Sequence, residues 1–461
     1  MNMSDTVAAV STPRGVGGIA VIRVSGDRTR QVVSEIFKPL GKTSPTDAPR
    51  RAVYGSIVSP AEGREIDRGL VTFFAAPASY TGEDMAEISC HGGLYVTEEV
   101  LATVLAAGCR AAEGGEFTRR AFIAGKMSLT EAEAVGEMLE ADTADRLALA
   151  ADALTGRLSD SVREIGDSLA DAMSALYAEI DYPEEDLADM THGEIADAID
   201  AARDKISSLL ATYKRGRAVS QGVKCVICGS PNAGKSSLYN LMSGHDSAIV
   251  TDIEGTTRDV LRERVAFGGV TLELCDTAGL RETCDRVEKI GVTRAKAEIA
   301  EAELVLAVFD ASRHLTEEER QNVAQYDPAC AVAVINKSDL ECALDEDELD
   351  FLRENHAACV TLSCESGEGT DELEKAVGTL FDTGACRIGE QAVIWSARQK
   401  AALTASAEFL DEAALALAED CPADALCTLL EGALGELMST DGRGVSEEIV
   451  GRIFSKFCVG K

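Results

Sequence analysis

No stretch of this 461-residue chain approaches the roughly 18 consecutive apolar residues that a bilayer-spanning helix needs. The opening MNMSDTVAAV lacks a basic stretch followed by an apolar core and a cleavage site, so no export signal is expected. The fourteen cysteines show no regular close spacing. With no export signal, that predicts reduced thiols and a cytoplasmic location. Basic residues are scarce: 44 Lys and Arg stand against 79 Asp and Glu, giving a net charge of −35. Such a balance opposes non-specific binding to a phosphate backbone. If a nucleic acid is the substrate, another protein must supply much of the positive surface. Otherwise the acidity reads as a means of staying soluble. Internal repeats and low-complexity linkers are also missing, and the length suits two or three domains with substantial cores.

What is present divides the chain by composition. Residues 1–125 alternate glycine-rich turns with short β-branched runs: IAVIRVSG from Ile19, GLVTFFA from Gly69 and AEISCHGG from Ala86. This predicts an α+β domain. From 126 to 217 Ala, Leu, Asp and Glu dominate. Leu154, Leu158, Val162, Ile165, Leu169, Met173, Leu176 and Ile180 recur at steps of three or four, one apolar stripe on a long helix. Pro183 in DYPEED cannot continue such a helix. Residues 218–385 read as βαβ, with strands at KCVIC, VTLELCD, ELVLAVFD, AVAVIN and ACVTLSC, the pattern of a doubly wound sheet. A helical pattern returns over 386–461. The fold class expected is therefore multidomain, α+β and α/β: an N-terminal α+β domain, and an all-α helical domain interrupted by an α/β insertion.

Four motifs fall inside that insertion. Gly229, Gly234, Lys235 and Ser236 fit G-x-x-x-x-G-K-[ST] directly after a strand and before a helix, the context that marks a genuine phosphate loop. Backbone N–H groups and the helix N-terminus favour anionic phosphates there. Lys235 should reach the β- and γ-phosphates, and the Ser236 hydroxyl should ligate Mg²⁺. In the loop TDIEGTTRD, Thr257 is the expected second Mg²⁺ ligand. In DTAGL, Asp276 can orient a metal-bound water and Gly279 can offer its N–H to the γ-phosphate. In NKSD, Asp339 can accept from guanine N1–H and the 2-amino group. Adenine would leave that carboxylate unmatched, so the site predicts GTP. Ser363 and Cys364 occupy a base-contacting loop where Ser-Ala is usual. The nucleotide-lining set is Asn232, Ala233, Gly234, Lys235, Ser236, Ser237, Thr251, Asp252, Ile253, Glu254, Gly255, Thr256, Thr257, Asp276, Thr277, Ala278, Gly279, Asn336, Lys337, Ser338, Asp339, Ser363, Cys364 and Glu365.

Hydrolysis needs a group to orient water. A glutamine following DxxG does this in Ras-like proteins, but here that position is Leu280. Glu282 and Glu288 are both near enough in sequence to substitute. No arginine finger is obvious, although Arg258, Arg262, Arg264 and Arg281 are available. A monovalent cation could stabilise the charge developing between the β- and γ-phosphates, with Asn232 and backbone oxygens of 251–256 as ligands. Cys225 and Cys228 form C-x-x-C on a strand, where residues three apart point to opposite faces, so core packing is expected rather than chelation. Cys90 and His91 diverge for the same reason.

Longer stretches carry a resemblance. DTVAAVSTPRGVGGIAVIRVSG from Asp5, SYTGEDMAEISCHGG from Ser79, GGEFTRRAFIAGKMSLTEAEAV from Gly114, EIDYPEED from Glu179 and GRIFSKFCVGK at the end resemble the MnmE (TrmE) family of tRNA-modification GTPases, as do the four motifs. The resemblance implies a folate-binding N-terminal domain that mediates homodimerisation and a helical domain carrying an inserted Ras-like P-loop GTPase domain. It implies a heterotetramer with MnmG (GidA), a partner that carries FAD and much of the contact to tRNA. The reaction implied adds an aminomethyl or carboxymethylaminomethyl group at C5 of the wobble uridine, with a 5,10-methylene or 5-formyl tetrahydrofolate derivative as one-carbon donor or ligand. By resemblance, folate contacts fall on Arg23, Glu87, Lys126 and Lys461, and K⁺ on Asn232, Thr251, Ile253 and Thr256. Mg²⁺ falls on Ser236 and Thr257, and the water-orienting role on Glu288. Cys458 either takes part in the modification chemistry or is a buried small hydrophobe. The competing functions are a regulatory GTPase switch in ribosome assembly or stress response, with no folate-dependent role, and an ATP-dependent P-loop enzyme, which NKSD disfavours.

Overall fold

A computed structural model describes residues 5–181, 190–244, 263–275, 299, 302–381, 389, 391–455 and 457–460. Two compact units emerge: residues 1–136 with 438–461, and residues 137–437.

The first unit is built on a seven-stranded sheet. Its strands are β1 (Val7–Val10), β2 (Ile19–Ser25), β3 (Phe37–Pro39), β4 (Ala52–Val58), β5 (Glu65–Phe74), β6 (Met85–His91) and β7 (Arg110–Ala111). The order is β3-β4-β5-β6-β2-β1-β7. All neighbours are antiparallel except β1 and β7. Period-two alternation sets the faces. Along β2, Ala20, Ile22 and Val24 are buried with Val32, Val33 and Ile36 of the helix Thr29–Ile36 and with Val100 and Val104 of the helix Leu94–Ala106. Arg23 lies between them in sequence and so points to the other face, where Phe117 of the helix Glu116–Ile123 packs with Val7 and Ala9.

The end of the sequence closes this unit. Val459 bridges Gly114, the Gly115 N–H donates to the Cys458 carbonyl at 3.3 Å, and the Ser11 hydroxyl donates to the Gly460 carbonyl at 3.0 Å. Gly460 has φ +101, and a Cβ there would sit 2.3 Å from the Val10 oxygen. Leu129, Ala132, Val450 and Phe454 form a small apolar cluster beneath, flanked by Phe122 and Phe457.

The second unit joins a helical core to a six-stranded sheet. Leu158, Val162, Ile165, Leu169 and Leu176 of the helix Arg157–Asp181 pack with Ile195, Ile199 and Ile206 of His192–Ala211 and with Leu403 and Leu410 of Ala397–Ala418. The sequence stripe predicted one helix from Leu154. The structure instead ends a first helix, Ala144–Ala153, at Leu154 and starts the next at Arg157. Gly156, at φ +80, supplies the left-handed residue that separates them. At its far end the stripe fades, since Ile180 is 40% exposed. Pro183 lies outside the described residues.

The sheet contains β8 (Val223–Gly229), β9 (Glu263–Phe267), β10 (Val270–Cys275), β11 (Leu304–Asp310), β12 (Ala331–Asn336) and β13 (Ala358–Thr361), ordered β13-β12-β11-β8-β10-β9. Every pairing is parallel except that of β9 with β10. All residues of β11 and β12 are buried, as a sheet covered on both faces requires. β9 and β10 meet through Gly268 and Gly269, at φ +63 and +75, the two left-handed residues that a tight hairpin turn demands. Strand order reverses beside β8, and in such sheets ligands sit at the carboxyl ends of strands near that switch.

Candidate nucleotide site

The loop leaving β8 runs into the helix Lys235–Gly244. Asn232 adopts φ +63, and Gly229 and Gly234 adopt φ +144 and +105. A Cβ on Gly229 would lie 2.3 Å from the Val308 oxygen, and one on Gly234 would lie 2.0 Å from the Asn336 amide nitrogen. Both glycines are therefore dictated by close approach as well as by torsion. Ala233 is buried, whereas Asn232, Ser236 and Ser237 are exposed. Lys235 Nζ donates to the carbonyls of Gly229 and Ser230, both at 2.8 Å. Burial pushes the Lys235 ammonium pKa down.

Asn336, 2% exposed at the end of β12, ties three loops together. Its side-chain amide donates to the Ala233 carbonyl at 2.9 Å, and its side-chain oxygen accepts from the Cys364 N–H at 3.0 Å. Asp339 Oδ1 accepts from the Ser363 hydroxyl at 2.5 Å, and Ser363 Oγ in turn accepts from the Glu365 N–H at 3.3 Å. Asn336, Lys337, Asp339, Ser363, Cys364 and Glu365 are thus brought together beside the phosphate loop. Ser338 joins them through its N–H, which donates to Leu362 O at 3.2 Å. The Cys364 thiol is pushed up to about 11 by burial and by Asp339, so it fills the loop as a neutral thiol.

Two supports of this site are absent from the motif reading. Lys337, at φ +68, reaches back to Asp310 at 2.6 Å. Burial alone would raise the Asp310 carboxyl, but Lys337 and Ser312 outweigh it and hold it below the usual range. Ser230, inside the phosphate loop, hydrogen-bonds Glu319. Burial alone would raise Glu319 too; Arg313, Thr316 and Ser230 bring it down to about 2. Asp310 closes β11 and Glu319 follows a Thr in T-x-x-E, so a strand-end carboxylate and a capping box were the available signals. His314, Asp345 and Glu348 also cluster, but Glu348 is engaged by Arg320, by the Leu315 N–H and by its own cap, which makes the group structural. Thr251, Asp252, Ile253, Glu254, Gly255, Thr256, Thr257, Asp276, Thr277, Ala278, Gly279 and Glu288 lie outside the described residues, as does Lys461.

In the first unit Arg23 and Glu87 are direct register partners on β2 and β6. Arg23 Nε and Nη2 both donate to Glu87 Oε1, at 3.3 and 2.8 Å. The Arg23 guanidinium carbon sits 5.4 Å from the Tyr80 ring centre and 5.6 Å from that of Phe117. Lys126 Nζ donates to Pro77 O at 3.0 Å, and the Lys126 stem lies beside Gly82. Arg23 and Lys126 therefore both adjoin the 77–82 loop, an adjacency carried by Tyr80 and Gly82 that residue types alone did not reveal. A buried ion network backs that loop. Arg120 bonds Glu116 at 2.9 Å and Glu83 at 3.0 Å, Arg110 bonds Glu116 at 2.8 Å, and Ser25 donates to Glu83 at 2.7 Å.

Cys458 is exposed, so the buried-hydrophobe alternative is not realised; the backbone, not the thiol, holds this segment. Cys225 is buried on one face of β8, while Cys228 packs with Phe309 and Leu352 on the other, its thiol pushed up to about 12 by burial. Cys90 joins the sheet–helix core with its thiol raised to about 11, chiefly by burial and then by Asp67; adjacent His91 is exposed and pairs with Asp67 at 2.7 Å.

A glycine-rich loop between a central parallel strand and a helix, cross-tied to an N-K-x-D loop, defines a P-loop nucleotide-binding protein of the guanine-reading class. Comparison with known proteins narrows this. The model for the MnmE helical domain matches residues 129–458, and the model for the GTP-binding protein TrmE N-terminus matches residues 6–126. The tRNA modification GTPase MnmE of Natranaerobius thermophilus is 40% identical over 457 residues, covering 99% of each chain. That of Bacillus subtilis is 38% identical over 462 residues, covering 99% of this chain and all of the relative. The chain belongs to the MnmE (TrmE) family of tRNA-modification GTPases. Among solved structures, the G domain of the T. maritima FeoB iron transporter is 22% identical, covering 34% of this chain and 98% of its own, at a TM-score of 0.25. That likeness adds nothing to the sheet order already described.

Proposed function

We propose that this chain is a GTP hydrolase that works in tRNA modification, acting at C5 of the wobble uridine. The observation that carries the reading is the double hydrogen bond of Asn336, which locks the phosphate loop to the base-reading loop. In this reading Asp339 selects guanine, Lys235 holds the β- and γ-phosphates, and Ser236 with Thr257 holds Mg²⁺. The exposed Ser236 hydroxyl in the first turn of its helix suits such a ligand. Asn232, exposed and left-handed inside the loop, suits a K⁺ site completed by Thr251, Ile253 and Thr256. That cation supplies the positive charge an arginine finger would bring, and Glu288 orients water.

The first unit would bind a tetrahydrofolate derivative. Glu87 keeps Oε2 clear of the Arg23 bond and can accept from the amino and N–H donors of a pterin. Arg23, Lys126 and Lys461 suit its anionic tail, and the Tyr80 and Phe117 rings line the same region. Domains at 1–125, 126–217, 218–385 and 386–461, a homodimer joined through the first of these, a heterotetramer with an FAD-carrying MnmG (GidA) partner that holds the tRNA, and a cytoplasmic site of action complete the proposal. The acidity of the chain, −35 overall, favours delivery of tRNA by that partner. The exposed Cys458 takes part in the modification step.

The test has two arms. Purified full-length chain should hydrolyse GTP, not ATP, and faster in potassium than in sodium; equal rates in both salts remove the cation role. Total tRNA from cells lacking the protein should lose the C5-modified wobble uridine, and an unchanged nucleoside profile rejects the tRNA assignment. Binding of 5-formyltetrahydrofolate to the full chain separates this reading from a regulatory switch, which has no use for folate.

A further inference from the structure

The hairpin formed by β9 and β10 is pinned from outside the sheet by an ion cluster that no nucleotide motif includes. Arg264 on β9 lies opposite Glu273 on β10 and donates to its Oε1 through Nε at 3.1 Å and Nη2 at 2.6 Å. The third nitrogen, Nη1, faces Asp142 Oδ2 at 3.6 Å. Asp142 belongs to the short connection before the helix Ala144–Ala153. Arg146, in the first turn of that helix and 5% exposed, clamps the connection: it bonds Glu137 at 2.9 Å and the Glu140 carbonyl at 2.8 Å, and it faces Asp142 Oδ1 at 3.7 Å. The hairpin tip reaches the same place, since a Cβ on Gly269 would lie 3.5 Å from Asp145 Oδ2.

Asp142 is the unusual member. Its side chain is 14% exposed, and its Oδ1 is buried without a hydrogen bond. It is held between two guanidinium groups at ion-pair distance but beyond hydrogen-bond distance. Half-buried charge pairs are screened weakly, and their attraction changes steeply with separation. A carboxylate seated this way responds to small displacements of Arg264. Arg264 in turn is fixed to both strands of the hairpin by its bonds to Glu273. By sequence β9 follows Arg262 and β10 is followed directly by Asp276, so the hairpin joins the two segments whose motifs read Mg²⁺ and the γ-phosphate.

We propose that Asp142, Arg264 and Glu273 form a strut between the helical region and the edge hairpin of the sheet, and that it positions the hairpin for GTP hydrolysis. The strut acts through the hairpin and touches no nucleotide, so its members are positioning residues. The proposal rests on the GTPase reading.

A double-mutant cycle tests it in the full-length chain. Asp142→Asn and Arg264→Gln should each lower kcat for GTP roughly three- to thirtyfold while leaving KM and Mg²⁺-free mant-GDP affinity within about twofold. The double variant should be no worse than the poorer single variant. A second ion pair provides the control: Arg217 pairs with Glu303, the residue before β11, and neither lies on the hairpin strands. Arg217→Gln should soften thermal stability without lowering kcat. Single variants with unchanged kcat, losses that add in the double variant, or an equal loss in Arg217→Gln would each overturn the strut. If the parent chain turns over no GTP, the functional reading fails instead. The same cycle is then read in mant-GDP release with Mg²⁺, where additive or absent effects again reject the strut.

Discussion

Gly234 shows how little freedom one position in the phosphate loop has. Its torsion lies in the left-handed region, and a methyl group there would overlap the Asn336 amide that bonds Ala233 and Cys364. Gly234→Ala is expected to break that cross-tie. Affinity for mant-GDP, followed by fluorescence titration, should fall at least about tenfold, the scale of losing a buried hydrogen bond together with backbone strain. Affinity within about twofold of the parent would mean that Asn336 is not the keystone. The motif itself was legible in the sequence because its glycines and lysine have fixed spacing. Its supports were not: Glu319 meets Ser230 and Asp310 meets Lys337 only after the chain has folded, so neither pair has a local signature.

At the scale of elements, the buried chain of charges behind the 77–84 region decides how the helix Glu116–Ile123 docks. Arg120 and Glu116 are each 1% exposed and satisfy one another, with Glu83 and Arg110 taking the remaining bonds. Removing Arg120 leaves buried Glu116 with Arg110 as its remaining cation and deprives Glu83 of its guanidinium. Arg120→Ala should cost about 3–5 kcal/mol, measured as a shift of the urea midpoint for the transition that reports the first unit. A shift below about 1 kcal/mol would mean that water replaces the guanidinium without penalty. Elements were legible in the sequence where burial is two-sided: β11 and β12 stood out as unbroken apolar runs because helices cover both faces. β4 was missed because only three of its seven residues are buried. The helix break at Gly156 was missed because the apolar stripe continues in phase across it, and periodicity does not register one left-handed residue.

For the whole molecule, pH ties stability to buried groups in the second unit. His356 is 6% exposed; its Nδ1–H donates to the Leu352 carbonyl, and Nε2 accepts from the Tyr326 hydroxyl, both at 2.8 Å. Burial lowers its pKa against the opposing pull of Leu352. Below about pH 6.5 the unfolded chain therefore binds a proton more readily than the folded one. Stability conferred by neutral His356 is complete above that pH and is lost as pH falls toward the folded pKa. Glu319, lowered from 4.5 to about 2, acts in the same direction further down the scale. The melting temperature should fall between about pH 7 and about pH 5, and His356→Asn, which keeps a donor for Leu352, should flatten that slope. An identical slope in the variant would assign the loss to other groups. Composition separates the strand-rich N-terminal stretch from the helix-rich stretches that follow. The grouping of 438–460 with the first unit was not legible, because composition marks those residues only as more helix.

Ser11 and Gly460 are 449 positions apart and hydrogen-bonded. At synthesis rates of about 5–20 residues per second, the first sheet emerges roughly 17–70 s before the segment that completes it. Throughout that interval Gly114, Phe122 and Leu129 lack their partners Val459, Phe454 and Val450. A chain lacking residues 442–460 would leave Leu129 and Ala132 without Val450 and Phe454. Residues 442–460 are thus the last part of this unit to be supplied, although its sheet begins at Val7.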